Sequence, residues 1–132
     1  MYLIINTAIS KSLEVILAKN STDFNIREIE GEYKQAENLL PLIKESLNNQ
    51  HNNLEDIKGI AVVTGPGGFT ALRIGVVTAN VLAYALNVPV IGLNLTEFSN
   101  NEELIAKTMT KLKSTKTGGV VMPEYGREPN IS

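Results

Sequence analysis

The 132-residue chain contains no cysteine and a single histidine. Without cysteine, neither a disulfide framework nor a thiolate metal site can form. The histidine, His51, lies in a polar stretch from 48 to 53 and is predicted to be a solvated loop residue. Because a zinc site needs several histidine, cysteine or acidic ligands close together, the sequence predicts no metal site.

Excess charge of one sign is also lacking. Twelve basic residues face fourteen acidic ones, for a formal net charge of -2, whereas a protein that binds nucleic acid tightly by itself needs a basic surface. No apolar run is expected to be long enough to cross a bilayer, and the first residues carry no basic leader. The composition therefore predicts one globular domain in the cytoplasm, without membrane contact.

The most informative stretch is a glycine-rich turn between two apolar segments. The sequence Gly65-Pro-Gly-Gly-Phe-Thr-Ala-Leu-Arg-Ile-Gly75 follows the apolar run 60–63 and precedes the apolar segment 74–86, which predicts a strand, a tight turn and a helix with Thr70 as its N-cap. Backbone N–H groups at a helix N-terminus suit an anion. The candidate anion-binding residues are Gly65, Gly67, Gly68 and Thr70.

A purely structural role for this turn is the alternative. The glycine spacing fits neither a P-loop, which needs a lysine here, nor the dinucleotide fingerprint, and glycine turns without ligands are common. We predict the structural role. In that case Gly67 is expected to adopt a positive φ, so that Gly67→Val would lower stability.

The helix predicted over 70–86 is apolar on two sides. One stripe comprises Leu72, Gly75, Val76, Ala79, Leu82, Ala83 and Leu86, and the other comprises Ile74, Val77, Val81, Tyr84 and Ala85. A helix with two apolar sides is buried on both. We expect the first stripe to pack on the sheet and the second to meet a partner. The predicted partner surface is Leu39, Leu42, Ile43, Ile74, Val77, Val81 and Tyr84.

The order of elements predicts an α/β fold. Three strands near 2–5, 13–18 and 24–30 form an antiparallel meander, a helix over 33–49 contains Pro41, and strands near 60–63 and 88–93 enclose the helix over 70–86. With right-handed crossovers, this is a ribonuclease H-like mixed sheet in the order 3-2-1-4-5 with flanking helices. A short helix over 102–113 and an extended tail over 123–132 follow.

At residues 65–75 the chain resembles the TsaB (YeaZ) family, whose pattern there is Gly-Pro-Gly-Ser-Phe-Thr-Gly-Leu-Arg-Ile-Gly; only Gly68 and Ala71 depart from it. The segments 39–41, 88–92 and 123–127 are also similar to the family. The resemblance implies a ribonuclease H-like lobe of the actin-like ATPase superfamily over 1–98. Residues 99–132, a short helix and an extended tail, would then be a remnant of the family's second lobe.

The resemblance also implies a function. The chain would be a non-catalytic scaffold that dimerises with the catalytic TsaD subunit and works with the ATPase TsaE. Their complex transfers a threonylcarbamoyl group to the adenosine beside the tRNA anticodon, so tRNA would be reached only through the complex. The isolated chain would be a homodimer, and no cofactor is expected.

Two alternatives remain open at this stage. The chain could be an ATPase or metallopeptidase-like enzyme of the same superfamily, or a homodimeric remnant without a partner enzyme. Two departures from the family pattern disfavour the enzyme: Asn6 replaces an aspartate, and Gln35 replaces a histidine. We therefore expect no catalytic residues and neither ATP hydrolysis nor peptidase activity.

Overall fold

The computed structural model describes residues 1–9, 12–30 and 35–124, with side chains from residue 37 onward in the last range. In these ranges the elements are β1 (Tyr2–Asn6), β2 (Ser12–Asn20), β3 (Asp23–Glu30), α1 (Gln35–Asn49), β4 (Gly59–Gly65), α2 (Phe69–Leu86), β5 (Val90–Asn94) and α3 (Asn101–Lys113). Single 3-10 turns at Leu54–Asp56 and Leu95–Glu97 precede β4 and follow β5.

The strands form one mixed sheet in the order β3-β2-β1-β4-β5. β1, β2 and β3 pair antiparallel, whereas β1, β4 and β5 pair parallel, so that Leu3 lies between Leu17 of β2 and Ile60 of β4. β4 is buried along its whole length, as expected of a strand that is covered on both faces. The predicted ribonuclease H-like fold and its strand order are confirmed.

Helices cover both faces of the sheet and create two apolar clusters. Because side chains alternate along a strand, Leu3 and Ile5 of β1 face α1 and α2, while Ile4 faces α3. The α3 side is closed by Leu104, Ile105 and Leu112. Residues 101–113 therefore share a core with the sheet of the first lobe. The predicted tail beyond residue 124 lies outside the described residues.

The structure corrects the sequence analysis for α1. Leu39, Leu42 and Ile43 were assigned to the partner surface, but they are buried against the sheet in the same cluster as Leu3. α1 has one apolar stripe, and that stripe supplies the core of this chain, so these three side chains cannot also meet a partner. From residue 37 onward, the large apolar side chain that α1 exposes is Leu40.

For α2 the prediction of two apolar sides holds. Its buried residues are Leu72, Gly75, Val76, Ala79, Leu82 and Ala83, all members of the stripe that was expected to face the sheet. The other stripe remains exposed at Val77, Val81 and Tyr84. The helix thus packs on β4 with one side and presents the other, which is also apolar, to water.

The two ends of α2 differ in how well the sequence predicted them. The helix ends at Leu86, as the predicted range 70–86 has it, and Asn87 follows in the left-handed conformation with φ 58°. At the start, the helix begins at Phe69 with Gly68 as its N-cap, and no side chain caps it. The prediction of Thr70 as N-cap is therefore wrong, because Thr70 already lies in the first helical turn.

The length and composition of α2 also correct the expectation about membrane spans. Its 18 residues are apolar enough to cross a bilayer by these two criteria alone. The core helix of a soluble protein meets the same criteria, and here the buried side of α2 packs in a core cluster with the sheet.

Candidate functional site

The glycine turn is closed by contacts within the chain. Gly65 has φ 138°, and a β-carbon there would lie 1.9 Å from the carbonyl oxygen of Glu124. Gly67, by contrast, does not have a positive φ, so the expected reason for Gly67 is wrong. A β-carbon at Gly67 would instead lie 3.1 Å from Cα of Ala8. Glycine is therefore favoured at this position because the turn passes close to the backbone of Ala8.

The end of β1 packs against this turn and against α2. Asn6 is buried, and its Oδ1 accepts a hydrogen bond from the backbone N–H of Ala8 at 3.0 Å. A β-carbon at Gly75 of α2 would lie 2.5 Å from Oγ1 of Thr7. Packing thus accounts for Gly65, Gly67 and Gly75 without a ligand. Gly68 has no atom within 4 Å of its would-be β-carbon, and packing does not explain it.

Residues 120–124, which we call the strap, contact the carboxyl ends of β4 and β5. The backbone N–H of Glu124 donates to the carbonyl of Thr64 at 2.7 Å, and Nδ2 of Asn94 donates to Oε2 of Glu124 at 2.7 Å. The strap therefore covers the start of the glycine turn at Gly65. The sequence does not predict this position, because no local pattern indicates a segment whose hydrogen-bonding partners are distant in the chain.

An exposed apolar surface runs along α2. Tyr84 is 90% exposed, and Val77 and Val81 are each more than half exposed. Of the predicted α2 partner residues, only Ile74 is partly buried and packs against the core. Further exposed apolar side chains are Leu40 of α1 and Val120 and Met122 of the strap. That a partner protein covers this surface stays a prediction.

Two acidic residues lie opposite each other on β2 and β3. Glu14 lies directly between Asn6 of β1 and Glu28 of β3 in the strand register. Burial, and secondarily the neighbouring Glu28, raises the pKa of Glu14 above its usual value.

In the described ranges no group of three or more histidine, aspartate or glutamate side chains could hold a metal ion. His51 is exposed.

We expect Glu14→Gln to raise the melting temperature at pH 7. The folded state holds the Glu14 proton more tightly than the unfolded state, so the wild type loses stability as the pH rises from the unfolded pKa through the folded pKa. The substitution removes that loss, and the gain should vanish below about pH 4, where the carboxyl is protonated in both states. Thermal melts between pH 3 and 8 measure it, with exposed Glu102→Gln as control; equal pH profiles for Glu14→Gln and wild type would refute it.

Comparison with known protein families shows which family the chain resembles in sequence. The family model described as "TsaD: tRNA N6-adenosine threonylcarbamoyltransferase" matches residues 32–111, well over half of the chain. The chain belongs to this family. The match spans α1, the glycine turn, α2 and most of α3, so it includes both the turn and the exposed stripe described above.

Curated members of the TsaD family match a shorter stretch. The tRNA N6-adenosine threonylcarbamoyltransferase of Geotalea daltonii is 44% identical over 61 residues, which are 46% of this chain and 18% of that protein. The protein of the same name from Protochlamydia amoebophila is 48% identical over 59 residues, 45% of this chain and 17% of that protein. The chain thus spans less than a fifth of the length of these relatives.

Solved structures extend the similarity to the fold. YeaZ from Pseudomonas aeruginosa superimposes with a TM-score of 0.64 and 26% identity, over 70% of this chain and 44% of that one. A second structure, described as similar to peptidase YeaZ from the same organism, gives the same TM-score and identity over 71% and 44%. These similarities confirm the predicted TsaB (YeaZ)-like lobe.

Proposed function

We propose that this chain takes part in tRNA threonylcarbamoyladenosine synthesis as a non-catalytic subunit that binds a TsaD-like catalytic subunit in the cytoplasm. A TsaE-like ATPase would act with them, and tRNA would be bound through the complex. Family membership and the YeaZ-like lobe support the pathway. The observation that carries the subunit role is the exposed apolar stripe of α2, on a helix whose other side is anchored to the sheet.

The stripe has the properties of a helix-packing surface. Val77, Val81 and Tyr84 are spaced four and three residues apart, so they lie on one face of α2. A stable association buries about 800 Å² on each partner, and apolar side chains on a rigid helix contribute to it at low cost in ordering. We expect the isolated chain to self-associate through the same face.

The experiment is to bind the purified chain to the TsaD-like subunit of the same host. We expect Val81→Arg to weaken this binding at least about 100-fold, because a charge at the centre of an apolar interface is left unpaired, while the variant remains a folded monomer. Calorimetry and light scattering measure affinity and mass. The matched control is Ala106→Arg on the exposed side of α3, which should bind like the wild type; unchanged binding by Val81→Arg would refute the interface.

The enzyme alternative has one observation in its favour, namely the sequence similarity to proteins named as transferases. It is decided with the same preparations. Formation of threonylcarbamoyladenosine, or steady ATP hydrolysis, by the purified chain alone would establish an enzyme. Activity that requires the TsaD-like subunit, and that Val81→Arg abolishes, would support the subunit role.

A further inference from the structure

The strap lies beside the exposed face of α2 and is attached to it by one side chain. Nδ2 of Asn80 donates to the carbonyl of Val121 at 2.9 Å, and the N–H of Val121 donates to Oδ1 of Asn80 at 2.9 Å. A single amide thus satisfies both backbone groups of one residue. Two antiparallel bonds fix the orientation of the strap as well as its position.

Successive side chains of the strap point to different sides. Val121 packs against the core cluster, and a β-carbon at Gly92 would lie 2.8 Å from its Cγ1. Its neighbours Val120 and Met122 are 74% and 71% exposed. Val121 supplies the strap's contact with the core, so burial within this chain does not explain two apolar side chains on the outer side.

The outer side of the strap and α2 form one surface. Tyr84 and Val120 line the same groove, which has a volume of about 200 Å³. At about 100° per residue, Tyr84 is about 40° around the helix from Asn80 and Val81 about 100°. Val120 of the strap, Tyr84 and Val81 therefore follow one another around this side of α2. Isolated exposed apolar residues are ordinary, but a continuous patch indicates an interaction site.

We propose that the strap is part of the surface that binds the TsaD-like subunit, and that Asn80 is the residue that positions it. This inference rests on the proposed function. The partner would present an apolar face to Val120 and Met122, because these two exposed side chains of the strap are uncharged. By holding the strap in place before binding, Asn80 lowers the entropy that association would otherwise lose.

The test measures the affinity of the TsaD-like subunit for three variants. The double substitution Val120→Ser with Met122→Ser should weaken binding about tenfold or more without a change in melting temperature. Asn80→Ala should weaken binding and also speed amide hydrogen exchange at residues 121–124. Exposed Lys116→Ser, a few residues before the strap, is the matched control and should bind like the wild type.

Each outcome separates this inference from the proposed function. If the double variant binds like the wild type while Val81→Arg does not, the strap is not part of the interface and the proposed function stands. If exchange speeds up in Asn80→Ala but binding is unchanged, Asn80 does not position the partner surface. If the wild type does not bind the TsaD-like subunit, both proposals fail.

Discussion

Substitution of Ala79 by arginine is expected to abolish the folded state. Ala79 is fully buried on the side of α2 that faces the sheet, in the same cluster as Val62 and Val76. An unpaired buried charge costs several kcal/mol, and the long side chain has no space to fill. A domain of this size is stable by only about 5–15 kcal/mol. Circular dichroism and thermal melts of Ala79→Arg measure the loss.

The control for this experiment is Val81→Arg on the same helix. Val81 lies on the opposite, exposed side of α2, and a surface substitution changes stability by about 0.5 kcal/mol or less. Both variants introduce arginine into the same helix, two residues apart, and the difference in helix propensity between alanine and valine is less than about 1 kcal/mol, so a large difference in stability reports burial. If Val81→Arg unfolds the chain and Ala79→Arg remains folded, the two faces of α2 are assigned the wrong way round.

We expect Gly65→Ala to destabilise the protein by about 3 kcal/mol or more, the second largest effect. A side chain at φ 138° is strained by about 1–3 kcal/mol, and the new methyl group would collide with the carbonyl oxygen of Glu124. The strap must then move away, which breaks the hydrogen bond between Glu124 and Thr64. Chemical denaturation gives the free energy of unfolding.

Gly68→Ala in the same turn serves as the control. Its backbone has φ −65°, which any residue adopts, and no atom lies within 4 Å of the added methyl group. Its free energy of unfolding should stay within about 1 kcal/mol of the wild type, since a small loss as N-cap offsets a small gain in chain entropy. Equal stability of Gly65→Ala and Gly68→Ala would contradict the close contact with the strap.

The candidate site was predictable where local chemistry decides it. The glycine run after an apolar strand indicated the turn, and the apolar segment that ends at residue 86 indicated the end of α2. The same reasoning assigned the positive φ to Gly67, whereas the structure has it at Gly65. Several glycines in one turn look alike in sequence, and only the path of the chain around them decides which one must be left-handed.

Helices α1 and α2 show what the spacing of apolar residues can predict about the buried face of a helix. Spacing identified both apolar stripes of α2, and the side with smaller residues is the buried one because it permits close approach to the sheet, as between Gly75 and Thr7. For α1 the spacing of apolar residues does not reveal which neighbour covers them. Leu39, Leu42 and Ile43 face the sheet, and no pattern within one helix states whether its partner is this chain or another.

The sequence by itself determined the ribonuclease H-like sheet and the apolar character of both sides of α2, because strand and helix periodicities are properties of consecutive residues. The tertiary structure decided the rest: that the apolar stripe of α1 faces the sheet of this chain, and where the strap lies. Asn80 and Val121, whose hydrogen bonds hold the strap, are 41 residues apart in the chain. No sequence pattern predicts a hydrogen bond between a side chain and a backbone group at that separation, because the two groups meet only when the sheet and α2 have packed together.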